Sequence, residues 1–222
     1  MSKKLKWDEA GKKFYETGTK KGVLFKFKGG SYQSGVAWNG LTAVTESPSG
    51  AEATPLYADD VKYLNLMSAE EFGCTIEAYT YPDEFAECDG YADLGTGVTI
   101  GQQKRSMFAF SYVTTLGNDE ENNEYGYKIH IVYGCLASPS EKSYATINDS
   151  PEAITFSWEV TTTPVEVEGY KPTATITIDS TKVTEAQLKA IEDALYGTDE
   201  AESRLLMPAD IVAILNENAV AG

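Results

Sequence analysis

Two long stretches in the middle of the chain alternate strictly between their two sides. Ser106–Leu116 sets Phe108, Phe110 and Tyr112 against Ala109, Ser111 and Val113. Gly126–Leu136 sets Tyr127, Ile129, Ile131 and Tyr133 against Lys128, His130 and Val132. A period of two sends successive side chains to opposite faces of a pleated strand, and no helix has it. The acidic segment Gly117–Tyr125 (GNDEENNEY) lies between them. The pair therefore reads as an antiparallel hairpin with one aromatic face inward, and the rest of the fold must be built around a sheet.

Further strand signals surround this pair. Val23–Lys28 alternates and ends at Gly29-Gly30. Gly35–Trp38 and Leu41–Thr45 flank Asn39-Gly40, a strong short hairpin signal. Pro55–Tyr57 and Val61–Met67 flank Asp59-Asp60, and Glu46–Thr54 reads as an exposed small-residue loop. Cys74–Tyr81, Ser143–Ile147, Ile154–Thr162 and Lys171–Ile178 complete the strands, with a helical turn expected over Pro82–Cys88 and a glycine-rich connection over Gly90–Gly101. Fourteen Tyr and eight Phe in 222 residues suit half-buried sheet surfaces.

The period changes near the end. Thr184 followed by Gln187 is a capping-box pattern, Leu188, Ile191 and Leu195 share one helical face, and Gly197 is a natural stop. A short last helix is expected at Pro208–Leu215. The fold class is mainly β: a sandwich or barrel with one packed amphipathic helix near the C-terminus, an N-terminal arm and long loops. The expected division is an arm over 1–20 and one domain over 21–222.

Charge is unevenly distributed. The formal net charge is −16, yet residues 1–28 carry nine Lys and three acids, and the remainder carries nine basic and 31 acidic residues. The basic stretch reads either as a solvated tail or as an arm that docks on acidic surface of a neighbouring copy. It holds Trp7, Phe14 and Tyr15, which a purely solubilising tail does not need. An acidic body argues against nucleic-acid binding, which needs Lys and Arg for phosphate contacts. Three scattered cysteines, Cys74, Cys88 and Cys135, read as reduced thiols made in a cytosol. No apolar run is long enough for a membrane helix and no secretory leader is read, so the protein is expected to stay in the producing cell until assembly or lysis.

Catalytic and metal constellations are not evident. His130 is the single histidine and reads as a structural strand residue. Gly95 and Gly97 read as a loop pair. The acids Asp83, Glu84, Glu87 and Asp89 lack EF-hand spacing and read as a helical turn, a contact surface for another subunit, or a calcium site. No catalytic residue, metal ligand or cofactor is assigned.

The stretch Ala58–Leu66 (ADDVKYLNL), with Ser68–Phe72, Cys74–Tyr81 and Pro82–Gly90 (PDEFAECDG), resembles a block in the major tail proteins, or tail tube proteins, of long-tailed bacteriophages of the phi13 type. Pro172–Ile178, the helix after Thr184 and Leu205–Ile211 (LLMPADI) resemble the end of the same family, with Met207 and Ala209 in place of commoner residues. The resemblance implies a structural virion protein without enzymatic activity. Six subunits would form a ring, and rings would stack into a hollow tube that conducts DNA during ejection. It implies homo-oligomeric partners, tape measure, terminator and tip proteins, passage of double-stranded DNA without specific binding, no membrane, and assembly in the host cytoplasm into the virion tail. The strands holding Phe108, Phe110, Tyr112, Ile129, Ile131 and Tyr133 are candidates for the inner barrel. Trp7, Lys12, Lys13, Phe14, Tyr15, Asp83, Glu84, Glu87, Asp119 and Glu120 are candidate interface residues between or within rings. A tube of a phage-like particle, such as a tail-like bacteriocin or injection device, and a β-sandwich surface binding module remain the alternatives.

Overall fold

The computed structural model describes residues 4–147, 149 and 152–217. Residues 1–3 of the expected arm and the last five residues of the expected body lie outside them. In chain order the strands are β1 (Tyr15–Lys28), β2 (Ser31–Tyr32), β3 (Val36–Trp38), β4 (Leu41–Glu46), β5 (Ser49–Gly50), β6 (Ala53–Ala58), β7 (Val61–Met67), β8 (Glu70–Glu71), β9 (Gly73–Ala78), β10 (Ala92–Gly95), β11 (Val98–Ile100), β12 (Phe108–Asn118), β13 (Asn122–Ala137), β14 (Phe156–Thr162) and β15 (Thr175–Asp179). Two helices follow, α1 (Glu185–Tyr196) and α2 (Pro208–Glu217). The protein is mainly β, built on one antiparallel sheet of order β2-β1-β12-β13-β14-β9-β4, with β3 beside β1 and β15 beside β13.

The alternating pair forms the expected hairpin, β12 with β13, and its turn is shorter than the acidic segment suggests, because Asn118 already pairs with Asn122. Both of its faces are buried, not one. Phe108, Phe110 and Tyr112 enter one core with Leu24, Trp38, Ile76, Phe85, Val132 and Trp158. Ala109, Val113, Ile129, Ile131 and Tyr133 enter a second with Phe25, Ile178, Ile191, Leu195, Leu206 and Ile211. The sheet curls around the first core until β4, at its far end, faces β12. There Leu41 and Val44 pack on the same cluster. The centre of this core is an aromatic set: Trp38, Phe85 and Trp158 lie 4.5–5.5 Å apart between centroids, mostly edge to face, an arrangement that adds to area burial.

Helices cover the outer face. The capping box forms as expected: the Gln187 amide donates to the Thr184 hydroxyl at 3.3 Å and the Thr184 amide to Gln187 Oε1 at 2.9 Å. Ile191 and Leu195 of α1 and Ile211 of α2 are all in the second core, so two helices pack on the sheet where one was expected. The Gln187 side-chain Nε2 donates to the Leu215 carbonyl, and the Tyr133 hydroxyl to the Leu206 carbonyl.

Four further expectations fail locally. Asn39-Gly40 is not a hairpin turn: β3 pairs with β1 and β4 with β9, so the dipeptide is a corner between two ends of the sheet. Positive φ at Gly40 (76°) suits a corner as well as a hairpin. Ser143–Ile147 forms no strand. The arm ends sooner than residue 20, because β1 pairs with β12 from Tyr15 onward. The glycine-rich connection contains the small hairpin β10–β11. Gly134 marks where β13 changes partners from β15 to β14; its φ is +59° and an added Cβ would lie 2.1 Å from the Thr163 carbonyl.

Candidate assembly surfaces

The chain leaves the curled sheet at Glu46 and returns at Gly73. Between these points it makes one two-stranded ribbon. Thr45↔Thr75 and Glu46↔Cys74 pair within the sheet, Ser49↔Glu71 and Gly50↔Glu70 beyond it, and Ala53↔Met67 through Leu56↔Leu64 towards the tip, all in a single register. Backbone bonds fill the gaps: Ser47 donates to Gly73, Ala51 to Ala69, and Ser68 to Glu52. The tip turns at Asp59-Asp60, both at positive φ (50° and 63°), the conformation of the two-residue turn that matches strand twist. The twelve residue-to-residue steps from Glu46 to Ala58 reach about 40 Å at the usual rise. Every residue from 45 to 71 is exposed. That includes Tyr57 and Tyr63, each 70% exposed, and Met67, 63% exposed.

The pairing sorts the ribbon into two faces. Leu56, Leu64 and Leu66 share one and Pro55 and Met67 the other, while Tyr63 is the extra residue of a bulge between Leu56↔Leu64 and Tyr57↔Lys62. An isolated two-stranded ribbon is marginal in water. The exposed Leu56, Tyr57, Val61, Tyr63, Leu64, Leu66 and Met67 make it a candidate contact surface. The sequence identified the two strands and their turn, but read 46–54 as a loop. Nothing in the pattern of 53–67 tells an exposed apolar strand from a buried one.

The N-terminal segment contributes Trp7, 75% exposed, and Phe14 and Tyr15, also exposed. It is anchored on its own β12–β13 turn. The Lys13 amide donates to Asp119 Oδ1 at 3.2 Å, the Tyr15 hydroxyl to Asn123 Oδ1 at 2.8 Å, and Phe14 packs on Tyr125 at 5.0 Å. The Lys12 ammonium pairs with Glu9. Asp119 and Glu120 are exposed beside it, and the structure thus brings these two expected groups together.

The acid cluster separates. Asp83 and Glu84 are exposed in the first turn of a 3-10 turn, Asp83–Phe85. Glu87 pairs with Lys26 at 3.2 Å. Asp89 points inward, buried, to Arg105 at 3.2 Å and Lys142 at 2.5 Å. Among the described residues no group of three or more His, Cys, Asp or Glu is placed to hold a metal ion.

The inner-barrel candidates are buried. Phe108, Phe110, Ile129, Ile131 and Tyr133 are fully covered within the single chain and Tyr112 nearly so.

His130 sits where the roll closes. It is 8% exposed and stacks on Tyr112 at 4.6 Å with an interplanar angle of 7°. Its Nε2 lies 2.9 Å from the Thr114 hydroxyl and 3.5 Å from Glu16, and its Nδ1 3.9 Å from Glu46. These residues, with Val44, Lys128 and Thr177, line a cleft of about 370 Å³. Burial lowers the imidazole pKa, the two carboxylates oppose this, and burial wins, so the ring gives up its proton more readily than a free imidazole. Burial by itself raises Glu16, but Lys128, the Thr114 hydroxyl and His130 together hold it below the usual carboxylate value. Burial and Glu46 push the Tyr112 phenol upward, which keeps its proton on the donor side.

Cys74, Cys88 and Cys135 are free and buried. Burial pushes Cys74 and Cys88 up to about 12 and Cys135 well above the usual thiol value. Among the described residues no helix is long and apolar enough to cross a membrane. Neither a protein-family model nor a curated protein matches this chain.

Proposed function

We propose that the chain is a structural virion protein, a subunit of hexameric rings that stack into a bacteriophage tail tube. The observation that carries this reading is the ribbon at 46–74. It is an arm with exposed apolar side chains, about as long as a globule of this size is wide, taking a 222-residue domain at about 45 Å. Such an arm needs the surface of another molecule to cover it, and a homo-oligomer supplies one in every copy. The family resemblance of residues 58–90 spans most of this ribbon and the strand that follows it.

The remaining properties fit a conduit. A body of strongly negative charge repels the phosphate backbone, so DNA passes without sticking. Ring closure that pairs or covers sheet edges removes sites of uncontrolled aggregation. Tape measure, terminator and tip proteins belong to the same proposal as partners of the finished tube. The role requires no catalytic residue.

Negative-stain microscopy of the concentrated protein tests the reading. Six copies of about 24 kDa around a pore form rings or tubes of about 80–100 Å diameter. A monodisperse monomer at all salt and protein concentrations, even with tail-tip initiators added, overturns it.

A further inference from the structure

We infer that the ribbon docks on the basic aromatic segment 4–15 of a second copy of this chain, an assignment that rests on the assembly reading above. Charge selects the partner. Residues 47–72 carry five acids, Glu52, Asp59, Asp60, Glu70 and Glu71, against one base, Lys62. Most of the remaining surface is acidic too, and like charges across an interface disfavour docking. Residues 4–15 carry Lys4, Lys6, Lys12 and Lys13 against Asp8 and Glu9, so the segment keeps the opposite sign even with Lys6 and Lys12 beside Glu9.

Apolar chemistry agrees with the charge. Leu5 and Trp7 are 70% and 75% exposed on the segment, as Tyr57 and Tyr63 are on the ribbon. Both patches stay exposed in the single chain, so neither covers the other there. A buried centre of Trp, Tyr, Leu and Met inside a rim of paired charges is the usual anatomy of a specific interface.

The segment is also prepared to receive it. Lys13, Phe14 and Tyr15 are fixed to Asp119, Tyr125 and Asn123 of their own body. Docking therefore immobilises a short stub and not a free tail, which reduces its entropic cost. The contact is heterologous: each copy keeps one unused ribbon or one unused segment, so the association propagates into a ring or a filament.

The test uses the full chain. Asp59→Lys with Asp60→Lys, and separately Lys12→Glu with Lys13→Glu, each raise the protein concentration needed for assembly by about tenfold. The four changes combined in one chain restore opposite signs and bring that concentration back to within about threefold of the unmodified protein. Thermal melts of all three variants establish that they fold. In mixed assemblies of Trp7→Cys copies with Tyr63→Cys copies, mild oxidation gives an intermolecular disulfide. If the protein assembles but the reversals change nothing, the combination fails to recover, or no cross-link forms, the docking assignment falls while the assembly reading stands. If the unmodified protein never assembles, both fall.

Discussion

The Tyr112 hydroxyl donates to Glu46 Oε1 at 2.9 Å, across the interior of the curled sheet. Glu46 is the last residue of β4, and the ribbon begins at the next position. One hydrogen bond therefore joins the central strand of the body to the root of its arm. Tyr112→Phe keeps the ring on His130 and removes only this bond. Urea unfolding is expected to lose about 1 kcal/mol, reduced from the usual value for a charged acceptor because Glu46 is partly solvated. Amide exchange at Ser47, bonded to the Gly73 carbonyl, is expected to quicken. Unchanged exchange there would show that the bond does not hold the root.

His130 makes the fold sensitive to mild acid. Its folded pKa is depressed by burial. The unfolded chain thus binds the proton more readily. Stability from this group is complete above the unfolded value of about 6.5 and is lost as pH falls through the lower folded value. Glu46, Glu16 and Lys128 are the charged groups facing the ring, and Tyr112 stacks on it. The unfolding free energy should fall between pH 7 and pH 5.5, by no more than about 1.4 kcal/mol per pH unit, the limit for one proton. His130→Gln should flatten that slope. A slope that survives the substitution assigns it to other groups.

Asp89 holds two cations in the body, Arg105 and Lys142, with the Lys142 ammonium also 4.6 Å from the Tyr91 ring centroid. Removing one partner of a buried pair leaves charge without compensation. Asp89→Ala should cost about 3–5 kcal/mol in equilibrium unfolding, far more than Asp83→Ala at an exposed position of the same turn. Equal effects would show that the buried triad contributes no more than a surface acid.

The parts of the fold that were legible in sequence are those where local chemistry and tertiary context agree. Thr184 and Gln187 cap the same helix in any setting, and Asp59-Asp60 tolerate positive φ without help. The hairpin of β12 and β13 was legible because alternation survives burial. Its second buried face was not, since Ala109, Ser111 and Val113 read as small or neutral until helices lie on them. Asn39-Gly40 misleads because a dipeptide suited to a sharp turn cannot say whether its flanking strands pair. The ribbon was half legible: strands and turn follow from residues 53–67, but solvent on both sides is a property of what is missing around them.

Solvent on both sides also makes the ribbon separable from the body. Residues 45–71 bury no side chain, so their removal takes nothing from either core. Ser49 pairs with Glu71, and a two-residue Asn-Gly link in place of 50–70 suits such a pair. The shortened chain should melt within about 4 °C of the full one, the shift that about 1 kcal/mol produces at this size. Sedimentation should show it monomeric at concentrations where the full chain assembles. A much larger fall in melting temperature would place the ribbon within the folding unit. Undiminished assembly would remove it from the interface, and the exposed Leu56, Tyr63, Leu64 and Met67 would then need a different partner.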